Sequence, residues 1–149
     1  MVTTLAGVGL WTTERDAQQE ARASLQALQS EQAAAEESAA MVIGILSAED
    51  ASHLTVPSRD GGALQVVYSR DQQAMMVQAA GLPELPADRT YQLWTIEDGT
   101  ATSAGLLASA DDAVLTDGPI GEAVVLGLTI EPAGGSAQPS MDPIASEEL

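Results

Sequence analysis

Few side chains in this 149-residue chain could do covalent or metal chemistry. His53 is the only histidine, and there is no cysteine. A lone imidazole without a thiolate or second histidine makes a poor metal site. Met75 and Met76 follow each other in a strand pattern, so they face opposite ways and cannot both join it. Ser52 beside His53 fails as a nucleophile–base pair for the same reason. The nucleophile-elbow pattern GxSxG and a phosphate-cradling glycine loop are both missing. Gly61-Gly62 and Gly134-Gly135 lead into strand-like wording, not into a helix that could receive an anion. The paired carboxylates Glu36/Glu37, Asp111/Asp112 and Glu147/Glu148 are expected in so acidic a chain. Asp98 and Asp117 lie in loops, but the spaced ligands of an EF-hand are missing. Glu131 stands apart. It precedes Pro132 at the end of a strongly apolar strand. Its carboxylate is expected to accept N–H groups from the Gly134-Gly135 turn or from a neighbouring strand, a structural role. No enzyme, no cofactor and no bound metal are expected.

The elements that position these residues fall into two styles. The run from Glu14 to Ala40 lacks Gly and Pro and is rich in Ala, Gln, Glu and Leu, so it predicts a helix. Thr13 with Asp16 resembles a capping box. Ala21, Leu25, Leu28, Gln32, Ala35, Ala39 and Val42 repeat at 4-3 spacing, a heptad seam with only two leucines. Weak self-association through it stands beside a solvated stalk or a helix laid on the rest of the chain. Met41 to Ala48 finishes the helix or opens the first strand, and Gly44 favours the strand.

Beyond the helix the period is two. His53–Val56, Ala63–Ser69 and Gln73–Ala79 read as strands, the last two as a hairpin. Gly81 to Arg89 holds two prolines and reads as a loop. Thr90–Ile96 is apolar on both faces, with Tyr91 and Leu93 on one side and Trp94 and Ile96 near the other, as an interior strand requires. Ala101–Ala108, Asp111–Leu115, Glu122–Ile130 and a short piece near Pro143–Ala145 follow, before an acidic end expected to fray. The fold class is mainly β: an antiparallel β-sandwich of about seven or eight strands preceded by one long N-terminal α-helix.

The formal net charge is −17, with 22 acidic residues against five basic ones. Such a surface repels phosphate, which excludes nucleic acid as a partner, and it repels anionic headgroups. The segment from Val2 to Trp11 is apolar and uncharged. It is too short to span a bilayer, which needs roughly 20 residues, and it lacks a basic n-region. It reads as a frayed hydrophobic start, as a segment docked on its own domain, or as the outer end of a membrane helix.

TYQLWTI (Thr90–Ile96), ATSAGLL (Ala101–Leu107) and TIEPAGGSAQPS (Thr129–Ser140) occur in that order. Together they resemble the C-terminal domain of anti-sigma-K factors, the RskA family. The matching residues are Tyr91, Gln92, Leu93 and Trp94; Ala104, Gly105 and Leu106; and Thr129, Glu131, Pro132, Gly134, Gly135, Ser136, Pro139 and Ser140. Tyr91, Leu93, Trp94, Gly105, Glu131, Pro132, Gly134, Gly135 and Pro139 are the family motif, expected to be structural. The resemblance implies a single-pass cell-membrane protein with this domain on the extracytoplasmic side. A cytoplasmic domain outside this chain would hold a sigma factor. A site-1 protease and then an intramembrane protease would release it. Residues 1–12 are then the outer end of the membrane segment, 13–40 a helical stalk of about 40 Å, and 41–149 the sandwich. On this reading the sandwich protects the stalk, and the cut falls near Trp11–Asp16 or in the uncovered helix. The alternative is a free-standing extracellular module that binds a ligand or protein, using the Gly81–Arg89 loop and the tail. Burial of Trp94 and Tyr91 would favour the structural reading; a solvent-open pocket lined by them would favour binding.

Overall fold

The computed structural model describes the backbone of residues 9–149 and the side chains from residue 16 onward. The chain divides into two compact units, residues 1–40 and 41–149. One helix, α1 (Gly9–Ser47), runs through the first unit and ends in the second. The expectation for Val2 to Trp11 lies outside the described residues, apart from the helical backbone of residues 9–11. Thr13 is inside the helix, so it does not cap it.

The helix also runs seven residues past Ala40, so this segment finishes the helix and does not open the first strand, the alternative that Gly44 favoured. The reason is Ile45, which is fully buried. Met41, Val42 and Ile45 share one helical face, whereas strand alternation would split them. Gly44 stays in the helix because Gln72 packs there: a Cβ on Gly44 would lie 3.3 Å from its Oε1. In unit 1, Asp16 to Ala40 is exposed throughout, Leu25 and Leu28 included.

The second unit is an antiparallel β-sandwich of eight strands. They are β1 (Ser52–Pro57), β2 (Ala63–Ser69), β3 (Ala74–Ala80), β4 (Arg89–Glu97), β5 (Thr100–Leu107), β6 (Ala113–Asp117), β7 (Val125–Pro132) and β8 (Ala145–Glu148). One sheet has the order β1-β2-β3-β6, the other β5-β4-β7-β8. Alternation along each strand aims Leu64, Val66 and Tyr68, Met75 and Val77, Tyr91 and Leu93, and Leu126 and Leu128 into one shared core. Met75 is buried in that core and Met76 faces away from it. His53 sits in β1 opposite Val67, with an exposed side chain.

Three strand boundaries differ from expectation. β6 is Ala113–Asp117, two residues later than read, because it pairs in register with Ala74–Gln78 of β3. β7 starts at Val125 and runs through Pro132, which lies opposite Arg89 of β4. The acidic end does not fray. Ala145–Glu148 pairs with Val125–Leu128, and the N–H of Leu149 donates to Val124 O.

Candidate functional site

The segment Thr129–Ser140 builds a second, polar interior on the far side of the β5-β4-β7-β8 sheet. Residue alternation puts Tyr91 and Leu93 of β4 in the sandwich core. It puts Gln92 and Trp94 on the opposite face, beside Thr129 and Glu131 of β7. Those four are buried even so, with Trp94, Thr129 and Glu131 at 0% exposure. The expectation of a strand covered on both faces is met. The chain after β7 folds back over this face as a loop and is tied to it by hydrogen bonds.

The bonds form a connected set. Trp94 Nε1 donates to Thr129 Oγ1 at 2.8 Å, and the Thr129 hydroxyl donates to Glu131 Oε1 at 2.7 Å. The Ser140 N–H donates to the same oxygen at 3.0 Å, and the Ser136 hydroxyl to Oε2 at 2.7 Å. Gln92 holds the loop a second time. Its Oε1 accepts the Ser136 N–H at 2.7 Å, and its Nε2 donates to Ser136 O at 3.0 Å and to Ser103 Oγ at 2.9 Å. Among the described residues no buried side-chain nitrogen or oxygen lacks a partner, so the set is closed. A closed network in a low-dielectric place stiffens what it joins.

Glu131 therefore accepts donors from the loop and from its own strand, not from the N–H groups of Gly134 and Gly135. The first glycine instead carries the turn at φ 94°, and the N–H of Gly135 donates to Pro132 O. Gly135 approaches Gln92 closely: a Cβ there would lie 2.9 Å from Gln92 Oε1. Burial would push the Glu131 carboxyl up, but hydrogen bonds from Ser140, Thr129 and Ser136 outweigh it and hold its pKa at about 2. A carboxylate so held is ionised at neutral pH and has no proton to give. That makes it a structural anchor and a poor general acid.

Most of the remaining motif residues fall on the same sheet. Gly105 lies opposite Leu93, next to a bulge where Ala104 is the extra residue of β5. Val114 of β6 packs against it, and a Cβ at Gly105 would sit 2.6 Å from Val114 Cγ1. The Tyr91 hydroxyl donates to Pro83 O at 2.8 Å, and the ring is buried, which pushes its pKa up. Pro132 ends β7 and Pro139 lies in the covering loop. A hollow of about 340 Å³ does border the 81–89 loop, lined by Leu85, Arg89, Leu107 and Ala110 among others. Tyr91 forms only its buried wall.

Asp50, Arg59 and Arg70 went unnoticed in the sequence because their partners are remote. Asp50 accepts the Ser69 hydroxyl at 2.5 Å and the N–H groups of Arg70 and Asp71, which hold its pKa below the usual carboxylate value. This clamps the residues just after α1 to the β2–β3 turn. Arg70 Nη2 donates to Leu149 O, and Arg59 Nη2 to Pro143 O. Among the described residues no group of three His, Cys, Asp or Glu side chains is arranged to hold a metal.

The fold and this network define a β-sandwich domain whose most distinctive wording serves its own interior. The family model described as anti-sigma-K factor rskA, C-terminal, matches residues 1–145. The chain belongs to that family. It is 42% identical over 103 residues to a Streptomyces griseus protein titled "Uncharacterized protein in phr 5'region", covering 68% of this chain and 43% of that one. It is 32% identical over 102 residues to the anti-sigma-K factor RskA of Mycobacterium ulcerans, covering 64% and 42%. The Mycolicibacterium vanbaalenii protein of that name is 30% identical over 101 residues, covering 64% and 42%. The chain thus spans less than half the length of these relatives. No solved structure matches it.

Proposed function

We propose that this chain is the extracytoplasmic regulatory part of a single-pass membrane anti-sigma factor. The observation that carries the reading is family membership across residues 1–145. The structure supports this reading where Gln92, Trp94, Thr129, Glu131, Ser136 and Ser140 join by hydrogen bonds that hold a loop over a sheet. A non-enzymatic sensor fits that use. The sigma factor would be held by a segment outside this chain, on the cytoplasmic side. Among the described residues no helix is long and apolar enough to cross a membrane, so the span is assigned outside them.

Release of the sigma factor would run through successive cuts by a site-1 protease and an intramembrane protease. Proteases need extended substrate, and a helix such as α1 must unwind before it can be cut. Its conformation is coupled to the sandwich where Ile45 is buried and Asp50 binds the β2–β3 turn. An intact sandwich would hold the end of the helix, and its loosening would be the signal. The thin seam of Leu25 and Leu28 around Gln32 supports only weak self-association.

The test uses the full-length protein with either the native sandwich or Glu131→Ala, which undoes the covering loop. Cleavage is followed by immunoblot and sigma-factor release by a transcriptional reporter. Both are expected to rise in the variant without any stimulus. If the variant sandwich unfolds and neither readout moves, the sandwich does not restrain the proteases.

A further inference from the structure

Each sheet buries one face in the shared core, and the two outer faces are finished differently. The outer face of β5-β4-β7-β8 is roofed by the chain's own loop after β7. The outer face of β1-β2-β3-β6 is closed only at the end beside the β2–β3 turn. There the outward Ser69 and Ala74 are buried, where Gly44 of α1 meets Gln72. Among the described residues nothing covers the remainder of this face, and Thr55, Gln65 and Gln78 are exposed on it.

Strand register sets out what the open face carries. His53, Val67, Met76 and Leu115 lie level across the four strands. Val67, Met76 and Leu115 are half-buried and make an apolar band. In the next row stand Thr55, Gln65, Gln78 and Ala113, and beyond them Pro57, Ala63 and Ala80. Charge is missing from these rows. β1, β2 and β3 contain no Asp, Glu or Arg, and β6 contains only Asp117, which stands opposite Ala74 at the closed end. Charged residues gather at the rims instead, Arg59 and Asp60 in one turn and Arg70 and Asp71 in the other. This chain has 22 acidic residues to place, and a solvated sheet face is an ordinary place for them. An uncharged centre with an apolar band and a charged rim has the anatomy of a protein interface.

Three features of the face choose its occupant. A net charge of −17 sets two copies of the chain against each other. On this face alone among the four sheet faces, two copies can meet over a broad open area without opposing carboxylates. The amides of Gln65 and Gln78 each donate and accept, so they can pair with their own copies. The face also holds both halves of a self-complementary contact. A shallow hollow of about 250 Å³ lies between β1 and β2, lined by His53, Thr55, Gln65 and Val67 among others. One strand further on, opposite Val67, stands the flexible side chain of Met76. A two-fold axis between them seats each Met76 in the other copy's hollow.

From the missing charge, the paired amides and the hollow with its methionine, we infer that this face is a dimerisation surface. Two copies of the chain pack sheet on sheet through the outer faces of β1-β2-β3-β6. Size sets the strength. Four strands about 4.8 Å apart and three rows about 6.8 Å apart make about 400 Å² per copy. That is about half of what a stable interface uses, so the dimer is weak and exchanges with monomer. This inference rests neither on the anti-sigma reading nor on the seam of α1.

The test follows the mass of the full chain by sedimentation equilibrium from about 10 μM to about 1 mM. The mass is expected to rise from one chain toward two, and to do so at lower concentration when salt screens the mutual repulsion. Gln65→Glu/Gln78→Glu places carboxylates at two exposed positions of the face and is expected to weaken the dimer at least about tenfold. Mixing it with Gln65→Lys/Gln78→Lys should restore association, which a folding defect would not. Leu25→Glu/Leu28→Glu adds the same charge to α1 and should leave the dissociation constant within about twofold. By NMR, the amides of Val67, Met76 and Gln78 should shift with concentration, and those of Thr129 and Glu131 should not. A chain that stays monomeric throughout would leave the face to a different protein and overturn the inference. Equal weakening by both glutamate pairs would reduce the effect to general repulsion and overturn it too. So would a dimer lost only in Leu25→Glu/Leu28→Glu, which would place the contact on α1. If the face variants fail to fold, the map of shifting amides still decides.

Discussion

Glu131→Gln is the sharpest probe of the buried network. The carboxylate is fully buried and accepts the Thr129 hydroxyl, the Ser136 hydroxyl and the Ser140 N–H. A glutamine can keep its Oε1 on Thr129 and Ser140 and turn its Nε2 to Ser136, whose hydroxyl rotates to accept. The geometry survives, but three charge-assisted bonds become neutral ones. At roughly 0.5–1 kcal/mol each, partly offset by no longer burying a charge, the loss is about 1–2 kcal/mol. With a urea slope of about 1 kcal/mol per M, the unfolding midpoint falls by about 1–2 M. Trp94 fluorescence reports unfolding in a Trp11→Phe background, since the chain has two tryptophans. The pH dependence carries the finer test. The carboxyl is held down at about 2 from an ordinary 4.5. A lowered pKa means that the folded state binds the proton less readily than the unfolded chain. The stabilisation is therefore complete above pH 4.5 and disappears as pH falls toward 2. The gap in midpoint between native protein and Glu131→Gln should be constant from pH 7 to 5 and close by pH 2. The other carboxylates titrate in both proteins and cancel. Identical midpoints at pH 7, or a gap that persists unchanged at pH 2, would refute the reasoning.

Three further outcomes are expected. Trp94→Phe removes the donor to Thr129 and should cost about 1–2 kcal/mol, and Trp94→Ala about 3–5 kcal/mol, both by the same urea assay. Gly105→Ala places a methyl 2.6 Å from Val114 Cγ1 at a φ of 149°; it should cost about 1–3 kcal/mol, and adding Val114→Ala should recover part of that loss in a double-mutant cycle. Asp50→Asn weakens the grip on the β2–β3 turn, so amide exchange at Arg70 and Asp71 should quicken at least tenfold by NMR while the β4–β7 amides stay protected.

The motif strand was legible because alternation is a strong signal. TYQLWTI has apolar residues on both faces, and only a strand buried on both sides tolerates that. The sequence could not say what covers the second face. Nothing local in GGSAQPS reveals that it folds back on Gln92 and Glu131 through bonds spanning 44 and five residues. The end of α1 was ambiguous in the sequence because Gly44 is a weak helix former, and the burial of Ile45 that decides for the helix is a tertiary effect. β8 was placed too early, and its acidic residues suggested fraying. Only their pairing with Val125–Leu128 holds them. Strand order was equally hidden, since β3 pairs with β6 across a gap that contains β4 and β5. Asp50 and Arg70 follow the same rule: a residue whose partners are remote carries no local mark.

The proposed position of the sandwich, outside the cell membrane, has a direct test. The chain has no cysteine, so a single exposed one can report on sidedness. In the full-length protein, carrying Ser109→Cys and no other cysteine, intact cells are treated with a membrane-impermeant maleimide before and after lysis. Labelling of intact cells is expected to equal that after lysis. Labelling that appears only after lysis would place the sandwich in the cytoplasm and contradict the claim.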